Sequence, residues 1–224
     1  MKLNADFTRR AVVHSAVQDF VPSPMPGVER LMLDRIGDEV ARATTIVRYA
    51  PGSSFSPHTH DGGEEFLVLD GVFQDEHGDS PAGTYVRNPP GSRHQPGSEP
   101  GCTIFVKLRQ FASDDDRHVV VDTTTPSMAP LVGRPGAVGR VIHEDERELV
   151  RVEEWAPNAR IEFAPRGGIE ILCLDGGFSE GGESFGRWSW LRLPDGAPLS
   201  ALAGARGCRV WMKEGHLRNP LGLS

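Results

Sequence analysis

Two histidines that stand two positions apart, His58 and His60, are the residues whose types and spacing most directly suggest chemistry in this sequence. Side chains on a β-strand alternate between its two faces, so residues at positions i and i+2 point the same way. If residues 58–60 lie on a strand, both imidazoles reach toward the same point. Such a pair can hold one side of a metal ion.

A carboxylate and a third imidazole follow at positions that could complete the site. Glu64 has the same parity as the histidine pair, and Gly62 and Gly63 before it allow the backbone to bend and aim the carboxylate at the same point. His94 comes after the turn-forming residues 89–91, which end one strand and deliver the next beside the first pair. A single histidine on an apolar face is usually packed or solvated, but four donors in this pattern favour a metal site. Imidazole and carboxylate together suit Zn, Fe, Mn, Ni or Co.

The spacing of these residues resembles the two conserved motifs of the cupin superfamily. The first motif begins at Gly52, passes through the two histidines and Glu64, and ends at Gly71. The second begins at Gly83 and continues through a Pro and a Gly to His94. The family pattern then has an Asn where this chain has Ser98, a departure that affects no ligand. The resemblance implies an all-β fold, the small jelly-roll barrel also called a double-stranded β-helix, with the metal ligands His58, His60, Glu64 and His94.

Longer runs around the motifs narrow the resemblance to ChrR-type anti-sigma factors and their stand-alone relatives. The runs are PSPMPGVERLMLDR, PHTHDGGEEFLVLDGVFQDEHGD and PAGTYVRNPPGSRHQPGSEPGCTIFVKLRQF. In ChrR proper a helical zinc-binding anti-sigma domain precedes the cupin, with a His and a Cys pair as ligands. Here only about the first twenty residues precede the cupin, and they contain no Cys. The resemblance therefore carries over the metal site of the cupin but not the binding of a sigma factor.

The resemblance also implies a cofactor and an oligomer. We expect one divalent transition metal ion per chain, with Zn or Fe as the first candidates and Ni, Mn or Co as alternatives. Cupins frequently pair through strand exchange or sheet packing, so a homodimer is expected.

Composition excludes several classes of protein. The 26 Gly and 18 Pro among 224 residues indicate many turns, and no apolar run approaches the roughly 18 residues that a membrane span needs. The start of the chain has no apolar segment typical of a signal peptide, so a cytoplasmic protein is expected. A net charge of −7 without a basic stripe argues against nucleic-acid binding. Three cysteines without CxxC spacing, Cys102, Cys173 and Cys208, fit buried free thiols in a reducing compartment.

The sequence repeats itself after about 105 residues. YAPGSSF at Tyr49 is matched by WAPNARI, LVLDGVF by LCLDGGF, and PGCTIFVK by RGCRVWMK. This internal duplication predicts a bicupin: a metal-binding cupin with an N-terminal extension in residues 1–118, a linker in residues 119–139, and a second cupin in residues 140–224. In the second copy the ligand positions are apolar, which predicts a degenerate cupin without metal; the replacing residues are Phe163, Ala164, Pro165, Ile169 and Leu199.

Other candidate residues receive less specific interpretations. Four aromatic residues are expected to line the cavity of the first barrel or to fill its core: Phe55, Phe73, Tyr85 and Phe105. Tyr85 and Arg87 are candidates for substrate contact, although a core tyrosine and a surface arginine are the favoured interpretations. The remaining histidines lack partner spacing and are predicted to be solvated or capping: His14, His77, His118, His143 and His216.

Three functions are compatible with such a site. The first is a metal-dependent enzyme, an Fe(II)-type dioxygenase acting on a small molecule such as a diketone or hydroxyacetophenone, because related cupins include dioxygenases of this kind. The second is a ChrR-like regulatory cupin that holds zinc, senses a small ligand or oxidant, and signals to a sigma-factor-related protein. The third is a metal-stabilised protein with neither activity. The sequence identifies no separate catalytic acid or base.

Overall fold

A computed structural model describes residues 1–218 and residue 220, and its regular elements are β-strands. In chain order the strands are β1 (Lys2–Leu3), β2 (Ala11–Val13), β3 (Val21–Pro22), β4 (Val28–Gly37), β5 (Ala41–Tyr49), β6 (Ser53–Ser54), β7 (His58–His60), β8 (Glu64–Asp75), β9 (Gly78–Pro81), β10 (Thr84–Asn88), β11 (Ser92–His94), β12 (Gly97–Ser98), β13 (Cys102–Leu108), β14 (Val119–Asp122), β15 (Ala129–Pro130), β16 (Ala137–Glu144), β17 (Leu149–Trp155), β18 (Arg160–Phe163), β19 (Ile169–Glu180), β20 (Glu183–Gly186), β21 (Trp190–Leu193) and β22 (Leu199–Glu214). All strand pairs are antiparallel among the described residues. This is the predicted all-β jelly-roll architecture.

The first compact unit consists of residues 1–5 and 19–125. Its main sheet has the strand order β1-β4-β5-β13-β8-β10-β14, and the short strands β7 and β11 form a separate two-stranded sheet. The central strands are rich in β-branched and aromatic residues, which suit a pleated surface that is buried. One face of the sheet packs around a hydrophobic core that includes Val28, Val47, Phe66, Val68, Phe73, Ile104 and Val106.

The second compact unit consists of residues 6–18 and 126–224. Its sheet has the strand order β15-β16-β17-β22-β19-β21-β2, with β18 paired to β22 and β20 paired to β19. Its core is formed by apolar side chains such as Trp155, Ile161, Ile169, Ile171, Phe178, Leu199 and Val210, each no more than 3% exposed. The described residues include no helix long and apolar enough to cross a membrane.

The structure divides the chain differently from the predicted boundaries at residues 118 and 140. Residues 6–18 belong to the second unit because β2 pairs with β21 there. The predicted linker contains β14, which pairs with β10 of the first unit, as well as β15 and the start of β16. Sequence patterns missed these assignments because they identify strands but not the distant strand with which each one pairs.

The internal repeat corresponds to matching elements in the two units. β8 and β19 each have twelve residues and the same pattern of buried and exposed positions. Gly71 in β8 and Gly176 in β19 both have positive φ, at 71° and 70°, and in each case an added Cβ would lie within 2.3 Å of the carbonyl oxygen of the facing strand. The same close backbone approach therefore requires glycine in both copies. The three cysteines are free and buried, as predicted.

Candidate metal centre

Two short strands bring the three predicted histidine ligands together. β7 and β11 pair antiparallel with His58 opposite His94 and His60 opposite Ser92. Nε2 of His60 lies 2.8 Å from Nε2 of His94. One ring nitrogen from each of the three histidines lies within 4.8 Å of the others, so the three imidazoles converge on one point.

Glu64 is placed next to the histidines by a turn that depends on glycine. Gly63 has a φ of 74°, and a Cβ at this position would lie 2.5 Å from the ring of Phe111. The turn starts β8 at Glu64, whose Oε2 atom lies 3.5 Å from Nε2 of His60 and 3.4 Å from Nε2 of His94. Asn88 Nδ2 donates a 3.2 Å hydrogen bond to the same oxygen. The structure thus brings all four predicted ligands to one place.

Hydrogen bonds at the second ring nitrogens orient two of the imidazoles. Nδ1 of His58 lies 2.9 Å from the carbonyl oxygen of Ser56, and Nδ1 of His94 lies 3.1 Å from Oδ2 of Asp75. A carbonyl and a carboxylate oxygen can only accept, so Nδ1 carries the proton in both rings and Nε2 keeps its lone pair. Metal-binding histidines usually have such partners, which fix the tautomer and orient the ring. Sequence reasoning missed Asp75, because nothing in its spacing distinguishes it from other strand-end carboxylates.

Two of the imidazoles differ in their affinity for protons. Burial lowers the pKa of His60, and the nearby His94 and His58 lower it further, against the opposing charge of Glu64. Burial by itself would also lower the pKa of His94, but the hydrogen bond to Asp75 and the charge of Glu64 outweigh it and raise that pKa above its ordinary value. Asp75, at Nδ1, and Glu64, at Nε2, therefore stabilise positive charge on His94 and would also stabilise a metal ion at Nε2.

The donor set fits a divalent transition metal ion. It combines three imidazole nitrogens and one carboxylate oxygen, which suit Zn, Fe, Ni, Mn or Co. Nε2 of His60 and Nε2 of His94 lie 2.8 Å apart, a distance that is favourable when a proton or a cation lies between or beside them. The described residues therefore could hold one metal ion.

A cavity of about 340 Å³ opens beside this cluster. His58, His60 and Glu64 form part of its wall, and most of the remaining lining is apolar: Val47, Phe55, Ile104, Val106 and Leu108. Arg30, Arg35 and Glu39 also line it. A largely apolar cavity with a few polar groups is the usual form of a small-molecule site.

Tyr49 is a cavity residue that the sequence analysis did not single out as one. Its side chain is buried, with its ring at 5.6 Å from Phe55 and 6.1 Å from Phe73. Burial raises the pKa of Tyr49 well above its ordinary value, and the charge of Glu64 raises it further. The phenol therefore stays protonated and can act as a hydrogen-bond donor. The sequence signal was its place at the end of β5, where alternation puts Tyr49 on the same face as Val47.

The sequence of the first half of the chain is similar to a known protein family. Residues 8–112 match the family model of the ChrR cupin-like domain. The match covers 105 of the 224 residues, so this part of the chain is similar to a ChrR-type cupin domain. This confirms the resemblance that the two motifs and the longer sequence runs indicate. No curated protein sequence matches the chain.

Solved structures of cupin fold are similar to most of the chain. A candidate glyoxylate-induced protein from Pseudomonas aeruginosa has a TM-score of 0.75 at 15% identity, covering 96% of this chain and 92% of its own. A candidate dioxygenase from Nostoc punctiforme has a TM-score of 0.70 at 14% identity, covering 96% and 81%. A bacterial pirin from Escherichia coli, in complex with nickel(II), has a TM-score of 0.65 at 12% identity, covering 92% and 98%. At these identities the likeness establishes the cupin fold.

Two residues considered for substrate contact lie on the opposite face of the sheet. Tyr85 pairs with Leu67 and Arg87 with Glu65, whereas Glu64 belongs to the alternate face of β8. Arg87 is 1% exposed and forms ion pairs with Glu65 at 2.8 Å and Asp115 at 2.9 Å. The favoured interpretation of Arg87 as a surface residue was therefore wrong, because sequence alone does not show which charges are buried together.

The predicted aromatic residues of the first unit lie partly in the cavity wall and partly in the core. Phe55 lines the cavity, and Phe73 packs in the core with its ring 5.9 Å from that of His94. Phe105 is buried on the face away from the cavity, opposite Leu67. Ser98, where the family pattern has Asn, donates a 2.6 Å hydrogen bond to the carbonyl of Val72 and thereby joins two strands.

In the second unit, the positions equivalent to the ligands meet in the same register. Phe163 pairs with Leu199, as His58 pairs with His94, and Ile169 begins β19 as Glu64 begins β8. All three apolar residues belong to or pack against the hydrophobic core. The second unit thus has apolar side chains at the positions where the first unit has side chains that could bind a metal ion.

A second cluster in the second unit was not predicted. His143, Asp145 and Glu148 lie close enough to share an ion, and His143 is buried rather than solvated. Nε2 of His143 lies 3.2 Å from Asp145, while Glu148 already pairs with the ammonium group of Lys213 at 2.9 Å. His216 is likewise buried, 2.9 Å from Glu170. These contacts account for both histidines as structural residues, so the predicted solvated or capping roles were wrong for them.

Proposed function

We propose that this cupin is a metal-dependent dioxygenase that acts on a small molecule, such as a diketone or a hydroxyacetophenone. One observation carries the proposal: three imidazoles and one carboxylate converge beside a largely apolar cavity, and His58, His60 and Glu64 form part of its wall. The cavity volume of 340 Å³ is that of about eleven water molecules, so it fits a substrate of about ten non-hydrogen atoms. The fold likeness to a candidate dioxygenase supports the same class of reaction.

The residues of the chain would have distinct tasks in such a reaction. His58, His60, Glu64 and His94 hold the ion, and Asp75 keeps the lone pair of His94 directed toward it. Iron(II) bound at these residues supplies activation of O2 beside the substrate. The apolar walls exclude water, which strengthens the electrostatic interactions of the site. Tyr49 offers a protonated phenol to a substrate oxygen.

Oxygen consumption tests this proposal. The protein would be reconstituted with Fe(II) under anaerobic conditions and then mixed with O2 and a panel of β-diketones and hydroxyacetophenones. We expect substrate-dependent oxygen uptake that disappears in His60→Ala. Iron-loaded protein that consumes no oxygen with any member of the panel would contradict the enzymatic function.

A second candidate function is supported by the family match over residues 8–112. A ChrR-like regulatory cupin would hold zinc, bind a small ligand or oxidant in the same cavity, and change its interaction with a sigma-factor-related protein. Zinc in protein isolated without added metal, together with ligand binding but no turnover, would favour this function over the dioxygenase.

A further inference from the structure

Two arginines on β4, Arg30 and Arg35, line the cavity beside the metal centre. They stand five positions apart, so in a regular strand they would point to opposite faces. The pairing of β4 with β5 contains a register shift between Met32 and Asp34, which leaves one extra residue on β4. This bulge restores the parity, because an extra residue reverses the alternation that follows it. Both guanidinium groups therefore face the cavity.

The positive charge of these arginines is poorly neutralised by the protein. Arg30 lies 3.7 Å from Glu39, a carboxylate that is 71% exposed, and Nε of Arg30 is buried without a hydrogen-bond partner. Arg35 is only 6% exposed, donates to the carbonyl oxygen of Asp38, and has no carboxylate within 4.0 Å among the described residues. Burial lowers the pKa of Arg35 and the charge of Arg30 lowers it further, and the charges of Glu39 and Asp38 offset only part of this effect.

Two other arginines, Arg87 and Arg134, pair closely with carboxylates. Arg87 binds two carboxylates, and Arg134 lies 2.6 Å from Glu153. Buried charges are normally paired in this way because an unpaired charge loses its hydration without compensation.

The carboxylates near Arg30 and Arg35 are those of Glu39 and Asp38, which are 71% and 90% exposed, and Asp38 already pairs with the N-terminal amine. Two largely buried cations with such exposed partners are therefore unusual, especially in a chain with a net charge of −7. An anion from outside the chain would complete the pairing.

The register of the sheet sets the distance between the arginines and the metal centre. Glu64 pairs with Leu108, Leu108 with Ala43, and Ala43 with Arg35, so Glu64 and Arg35 lie in one row across β8, β13, β5 and β4. Three strand spacings correspond to about 14 Å along the sheet, and less across the curved barrel. The long arginine side chain shortens the gap further. A molecule that fits the cavity can thus reach from one end to the other.

We propose that the substrate of this cavity carries a carboxylate group, which Arg30 and Arg35 bind while the other end of the molecule faces the metal centre. The inference rests on the proposed function and specifies its substrate class: small acids that carry a chelating group such as a diketone. Guanidinium groups bind carboxylates through paired, charge-assisted hydrogen bonds, which gives both affinity and orientation. A neutral diketone of the same length would leave the two cations uncompensated.

A pair of ligands that differ only in this charge tests the inference. Protein loaded with nickel(II), which avoids turnover, would be titrated by calorimetry with 4,6-dioxoheptanoate and with heptane-2,4-dione. We expect the carboxylate-bearing diketone to bind at least about tenfold more tightly, since hydrogen bonds to charged groups are of that strength. In the double variant Arg30→Gln and Arg35→Gln the preference should fall below about threefold.

Controls separate this inference from the metal centre itself. Arg48→Gln removes a cation from β5 whose partner is the exposed Glu29, at 3.3 Å, and should leave the preference unchanged. Nickel content and thermal unfolding would be measured for every variant. Loaded wild-type protein that binds the two diketones equally, or binds neither, overturns the inference alone, as does a preference that survives the double change. Protein that takes up no nickel overturns the proposed metal centre and the inference with it.

Discussion

At the scale of single residues, hydrogen bonds to the second ring nitrogens of the histidines support the candidate ligand set. Asp75 lies 3.1 Å from Nδ1 of His94 and raises the pKa of that imidazole, although burial alone would lower it. The hydrogen bond from the backbone of His77 and the bond to His94 outweigh burial and lower the pKa of Asp75, so this carboxylate stays charged. Asp75 is therefore a positioning residue for the centre.

Replacing Asp75 tests this role. Asp75→Asn should weaken metal binding by about 10- to 100-fold, which is the usual effect of removing such an outer partner. Asp79→Asn is a matched control, because Asp79 is exposed on the neighbouring strand β9 and accepts a hydrogen bond from Gln74 rather than from a histidine. Competition with a chromophoric chelator measures both affinities. Equal affinities in the two variants would show that Asp75 does not orient His94.

Acid should release the metal ion. The imidazoles bind a metal only when neutral, so protons compete for the site as the pH falls through their pKa values. Because the pKa of His94 is raised, this competition begins at a higher pH than for an ordinary histidine. We expect metal loss to develop below about pH 6. Dialysis at a series of pH values followed by elemental analysis measures it, and full occupancy at about pH 5 would count against the three-histidine set.

The residue scale is also where the sequence was most informative. The spacing of His58, His60, Glu64 and His94, through its resemblance to the cupin motifs, predicted four side chains that the structure brings together. Asp75, Tyr49 and the two cavity arginines were missed. Their roles depend on which side chains lie next to them in the fold. For Arg35 they also depend on a β-bulge that the sequence pattern does not reveal.

At the scale of elements, the turn between β7 and β8 determines whether the carboxylate meets the imidazoles. Gly63 occupies this turn with a positive φ, and Phe111 fills the space where a side chain would be. The hydrogen bond from the amide of Gly63 to the carbonyl of His60 closes the turn at 3.1 Å. The backbone conformation of Gly63 therefore determines how the side chain of Glu64 is placed relative to that of His60.

The variants Gly63→Ala and Gly52→Ala distinguish the cost of backbone strain from the cost of a steric clash between an added Cβ and Phe111. Both glycines have nearly the same φ, 74° and 75°, but a Cβ at Gly52 would meet no atom within 4 Å. Each change should cost about 1–2 kcal/mol for the left-handed backbone. Gly63→Ala should cost about 1–3 kcal/mol more because of the contact with Phe111, and should weaken metal binding. Denaturant unfolding measures the difference, and equal losses would contradict the close packing of this turn.

At the scale of the whole molecule, one scaffold occurs twice with different centres. The first unit has imidazoles and a carboxylate at the positions where the second has Phe163, Leu199 and Ile169. The sequence repeat predicted this contrast, with apolar residues at or near each equivalent position. It did not predict that residues 6–18 complete the sheet of the second unit, since edge-strand pairing between distant segments has no local signal.

Metal should stabilise the two units unequally. All four tryptophans, Trp155, Trp188, Trp190 and Trp211, lie in the second unit, so tryptophan fluorescence reports unfolding of that unit alone. Metal at one hundred times its Kd should stabilise the first unit by about 2.7 kcal/mol. We expect a calorimetric transition to move upward by several degrees while the fluorescence transition does not move. An equal shift of both would contradict a metal centre confined to the first unit.

We propose that the histidine cluster of the first unit holds one metal ion. The most direct test is the metal content of protein purified without an affinity tag, compared between His94→Ala and Leu199→Ala, which change equivalent positions of the two units. We predict about one ion per chain in the wild type and in Leu199→Ala, although the latter loses about 2–5 kcal/mol of stability. His94→Ala should retain almost none. Equal metal content in the two variants would contradict the assignment.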